Sequence, residues 1–165
     1  MIDQEKLIPE IKDWRASNGQ EFDIENWIAI EGNIKLAIGY TLIFWPDFFE
    51  HDGCVFLKSH FSLDSYNQWK KVDYIENYAQ IEYVINHIHI LDLFTDEKHG
   101  GISYVQVKYL GTVLRDIYET KLKALFPDKK FAVTFNGDEI YQDLIDYELA
   151  FFQESNEIRK TKNDS

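Results

Sequence analysis

Histidine is the side chain that most readily ligates metals and moves protons near neutral pH, and the chain carries five. Two of them, His87 and His89, form an H-x-H pair followed by Asp92 and His99. In an extended segment residues i and i+2 point to one side, as two ligands of one ion must; on a helix the same pair lies about 200° apart and cannot share an ion. Residues 87–94 fit both a helix end and an extended segment. The four residues therefore read either as the centre of a small metal-dependent hydrolase or as partly buried and surface side chains at a helix end.

Other chemistries find less support. Cys54 sits inside the apolar run Cys54-Val55-Phe56-Leu57 with no Lys or Arg beside it to favour a thiolate, so it reads as a buried, inert thiol. There is no G-x-S-x-G elbow, no Gly-rich phosphate loop and no H-E-x-x-H. Gly100-Gly101 and Asn136-Gly137 mark turns and need no ligand. Carboxylates are numerous, but glycosidase chemistry needs a separation in space that a sequence does not specify. One acidic cluster stands out: Asp138, Glu139, Asp143, Asp146 and Glu148 occur with no Lys or Arg among them and with Tyr141 and Tyr147 interleaved. In a strand with Ile145, Tyr147, Leu149 and Phe151 inward, Asp146 and Glu148 face solvent or a partner. Asp138, Glu139, Tyr141, Asp143, Asp146 and Glu148 are thus the candidate partner-binding residues, with an ordinary solvated face as the plainer explanation.

The whole-chain balance agrees with a binding role. Seventeen Lys plus Arg against 29 Asp plus Glu leave a net charge of −12 and a pI near 4.7. A surface of that sign repels phosphate backbones and anionic headgroups, so neither nucleic acid nor membrane is an expected partner. A single cysteine excludes an intrachain disulfide and a cysteine-based metal cage. No export signal is visible at the N-terminus, and the expected location is cytoplasmic. The uncharged run Leu36–Trp45 is about half of the roughly 20 residues that span a bilayer and reads as core.

The elements that must position these residues suit an α+β domain, several helices packed on a small, antiparallel sheet. The expected unit is a single globular domain over 1–153, with 154–165 as a mobile polar tail. Leu7, Ile8, Ile11 and Trp14 have helical spacing, with a stop at Asn18-Gly19. Asp23 caps a second helix interrupted at Gly32-Asn33, which makes a broken helix or helix pair; period alone leaves a β-hairpin about Gly32-Asn33 open. Residues 47–53 read as turn-rich and Cys54–Leu57 as a strand covered on both faces. Ser62 or Asp64 starts a short helix. Tyr78, Ile81, Ile85 and Ile88 mark another, and Val107, Leu110, Leu114, Ile117, Tyr118, Leu122 and Leu125 form the stripe of the longest. Phe131–Phe135 alternates as a strand, and so does Ile145–Phe151, for which a helix from Tyr141 to Phe152 is the alternative.

A small, cysteine-poor, acidic α+β chain with the acidic run Asp138 to Glu148 resembles the immunity proteins of bacterial polymorphic and contact-dependent toxin systems. That resemblance implies a non-enzymatic protein without cofactor, pairing one-to-one with a toxin; the acidic surface further suggests that the toxin is basic and nuclease-like. The stretch Phe44-Trp45-Pro46-Asp47-Phe48, followed by Asp52-Gly53-Cys54-Val55-Phe56-Leu57, is also similar to a segment of bacterial proteins to which no activity attaches.

Overall fold

The computed structural model describes residues 3–94 and 101–154. Among them are eight α-helices and two antiparallel sheets, an α+β architecture. Helices α1 (Gln4–Leu7) and α2 (Ile11–Asn18) replace the single opening helix expected, because Pro9 falls between them. Helix α3 (Ile24–Glu31) begins at a capping box in which Asp23 and Asn26 each accept the other's main-chain N–H. Asn33 caps α4 (Ile34–Phe44), so Gly32-Asn33 separates a helix pair and not two strands.

Strands β1 (Phe48–His51) and β2 (Cys54–Leu57) form a hairpin. Its turn is Asp52-Gly53, with φ of 50° and 78°, the mirror-image geometry that suits the twist of paired strands. The turn signals on both sides of Phe48–His51 hide this four-residue strand in the sequence. β2 is buried throughout because it separates two cores. Val55 and Leu57 join the larger one, with Leu114, Tyr118 and Leu122 of the long helix. Cys54 and Phe56 join the smaller, with Tyr66, Ile81 and Ile85. Helix α5 (Leu63–Lys70) starts at Ser62 and α6 (Tyr78–Ile85) at Asn77.

The second sheet has the order β3-β5-β4, with β3 Ile88–His89, β4 Phe131–Phe135 and β5 Glu148–Gln153. Short α7 (Ile90–Leu93) follows β3. Helix α8 (Tyr104–Leu125) opens on a Ser103–Gln106 capping box. Gly111 of α8 is required by packing: a Cβ there would lie 2.1 Å from Cζ of Phe135 on β4. Lys121 lies against the core, contrary to its apparent place off the stripe; its ammonium donates to the carbonyls of Trp45 and Pro46 at 3.2 and 2.6 Å.

The sheets are joined by side chains. Glu82 and Asn86, one turn apart at the end of α6, are fully buried. Glu82 accepts from the main-chain N–H of Val55 on β2 (2.6 Å) and of Gln153 on β5 (2.7 Å), and from the Gln153 amide at 2.5 Å. Asn86 accepts from Leu57 N–H and donates to the carbonyls of Val55 and Phe151. Two polar residues thus satisfy the facing edges of β2 and β5 where no main-chain ladder does.

Two expectations are corrected. The run Leu36–Trp45 is not core: α4 is exposed from Ile34 to Leu42, and only Ile43 and Phe44 pack against the large cluster. The alternation over 145–151 does not continue through Ile145, which lies exposed in a 3-10 turn, Leu144–Asp146. Strand β5 begins after Tyr147. No helix among the described residues is long and apolar enough to cross a membrane.

Candidate metal-ligand cluster and acidic loop

The extended reading of residues 87–89 holds, and register adds a third member. β3 pairs with β5 so that His89 stands directly opposite Glu148, and facing residues on one side of such a pair are close neighbours. His87 shares that side, and its ring centroid lies 4.6 Å from that of His89. Its Nε2–H donates to Glu148 Oε2 at 2.7 Å. One ligand atom from each of His87, His89 and Glu148 lies within 4.8 Å of the others, and all three residues are half-buried.

Neighbouring groups fix each member. Tyr83 of α6 stacks on His87, with the planes 6° apart, and its hydroxyl donates to Glu148 Oε1 at 3.3 Å. Burial together with the Glu148 carboxylate raises the Tyr83 phenol above its ordinary pKa, which keeps it a donor. His89 donates Nδ1–H to the Ile145 carbonyl at 2.6 Å, which leaves the lone pair on Nε2. Two imidazoles and a carboxylate so placed suit a divalent ion with nitrogen and oxygen ligands.

Asp92 does not join this cluster as expected. Asp92 is on α7, where its charge acts on His60, a residue whose pKa burial lowers and Asp92 partly restores. His99 lies outside the described residues. Among the described residues one groove, of about 460 Å³, runs between α6 and the end of β5 and is lined by Tyr83, and a second lies beside β1; His87 and His89 line neither.

The acidic loop lies next to the cluster. Asn136 braces it, donating to the Tyr141 hydroxyl (3.0 Å) and the Asp146 carbonyl (2.8 Å) and accepting from Glu148 N–H (2.9 Å). Tyr141 donates to Glu139 Oε2 at 2.7 Å, a bond that raises its phenol pKa, and Tyr147 donates to the Glu139 carbonyl. Asp143 caps the 3-10 turn by accepting from Ile145 N–H. Asp138, Glu139, Asp143 and Asp146 are exposed, and among the described residues none forms an ion pair with Lys or Arg. Glu148 departs from the expected solvent-facing set, because the register with β3 turns it onto His87. Tyr141 is half-buried as a brace.

Sequence reasoning missed Tyr83 and Ile140. Nothing in the spacing of Tyr83 points to Glu148, 65 residues away. Ile140 carries a signal, as the one apolar aliphatic residue between Phe135 and Leu144. In the structure it is 93% exposed on the loop that carries the four carboxylates. No family model, no curated protein and no solved structure matches the chain.

Proposed function

We propose that the chain is a non-enzymatic, cytoplasmic protein-binding module whose 138–146 loop captures a basic partner, in the manner of an immunity protein that blocks a cationic, nuclease-like toxin. The observation that carries the reading is Ile140: a 93% exposed aliphatic side chain on a loop whose four exposed carboxylates form no ion pair with Lys or Arg among the described residues. An apolar anchor with a charged rim is the anatomy of a docking site. The rim speeds encounter with a cationic surface, and the anchor slows dissociation. The bracing by Asn136, Tyr141 and Tyr147 reduces the ordering cost of binding. Carboxylates so grouped also suit a groove built to hold phosphates.

The experiment is affinity capture at low salt from the native host, with the wild type beside a variant carrying Asp138→Lys, Asp143→Lys and Asp146→Lys. Glu139 is left in place because it anchors Tyr141. A basic protein retained by the wild type, released by salt and missing from the variant supports the reading. Equal retention by both baits contradicts it.

A further inference from the structure

The structure assigns a divalent-metal site, best suited to Zn²⁺, to His87, His89 and Glu148, an inference that goes beyond partner binding and does not depend on it. Three observations meet there. The ligand atoms converge within 4.8 Å, His89 and Glu148 from facing positions of two adjacent strands and His87 from the residue before β3. Zn–N and Zn–O bonds of about 2.0–2.2 Å place tetrahedral ligands about 3.3 Å apart, a distance that small side-chain rotations reach. The outer shell is also present: ligating histidines give their second N–H to a carbonyl or carboxylate, and His89 gives Nδ1–H to Ile145. Tyr83 holds the other oxygen of Glu148, and its ring runs parallel to that of His87 with centroids 6.3 Å apart. On binding, Zn²⁺ takes the Nε2 lone pair of the Nδ1–H tautomer of His87 in place of the hydrogen bond that Nε2 now makes to Glu148 Oε2, the ring proton passing from Nε2 to Nδ1 by way of solvent. Two histidines and one glutamate leave the fourth position to water.

The ion would also order the loop, since His89 holds Ile145 at the loop's end and Glu148 stands three residues further on. The test is titration of the metal-free full chain with Co²⁺ and then Zn²⁺, following the visible absorption of tetrahedral cobalt and its loss on displacement. One equivalent is expected. His89→Ala and Glu148→Gln should each weaken binding at least 100-fold, and Tyr83→Phe about 10-fold, within the range for outer-shell partners. Circular dichroism checks that the variants fold, and Glu148→Gln preserves shape where His89→Ala does not. Absence of binding, or binding that survives both ligand substitutions, overturns the site.

Discussion

Replacing Glu82 with alanine should lower the unfolding free energy by about 3–5 kcal/mol, the largest single-residue effect expected in this fold. The carboxylate is fully buried and is the acceptor for two main-chain N–H groups, on Val55 and Gln153, and for the Gln153 amide. Each buried donor left without a partner costs about 1–3 kcal/mol. A typical domain is stable by only about 5–15 kcal/mol. Urea unfolding at neutral pH, read as a shift in midpoint at constant slope, measures the loss.

The same residue introduces a pH dependence of definite sign. Burial raises the Glu82 pKa above its ordinary value of 4.5, against the pull of the hydrogen bonds from Gln153 and Val55 and of the Lys129 charge. The folded chain therefore holds this proton more tightly than the unfolded chain does. Its contribution is complete below about pH 4.5 and declines as pH rises through the raised value. The stability difference between wild type and Glu82→Ala should widen on acidification towards pH 4.5 and then level off. A difference that narrows on acidification would reverse the sign and contradict the burial argument.

Reversing Asp138, Asp143 and Asp146 to lysine should slow association with the captured basic partner by about 10- to 100-fold at low ionic strength, with the difference shrinking as salt is added. These carboxylates are exposed, so their effect belongs to encounter and is screened over about 10 Å at 0.1 M salt. Ile140→Ala should act on the other rate. Loss of a buried apolar anchor costs about 2 kcal/mol, or roughly 30-fold in dissociation rate, with association little changed. Fold stability should move by no more than about 1 kcal/mol in either variant, because none of the four side chains is buried and the one side-chain hydrogen bond they make among the described residues, Asp143 to Ile145 N–H, caps a short exposed turn. Stopped-flow or surface binding kinetics at two salt concentrations separate the two effects.

What could be read in advance depended on whether a local pattern decides the structure. Helices α6 and α8 were legible because each carries a long amphipathic stripe and a side-chain cap. The burial of β2 on both faces was legible from four consecutive apolar residues. The same inference failed for Leu36–Trp45, since an apolar run reports affinity for an apolar surface and not whether the chain itself supplies one. Glu82 and Asn86 look like the polar edge of an amphipathic helix, and only the arrangement of β2 and β5 makes them a joint. The metal-ligand cluster was half visible: H-x-H placed His87 and His89 on one side of an extended segment. Glu148 depends on a strand register set by contacts 60 residues apart, which no local spacing encodes. The acidic loop was recognised by composition, while its apolar anchor, Ile140, emerged from exposure.

The claim that the 138–146 loop is a docking surface meets its most direct test in the binding kinetics of the basic protein captured from the host, with the wild type compared with the triple lysine variant and Ile140→Ala. The account predicts association slowed by the charge reversals in a salt-dependent way and dissociation hastened by Ile140→Ala, with thermal stability unchanged in both. Identical on- and off-rates for all three proteins would contradict it.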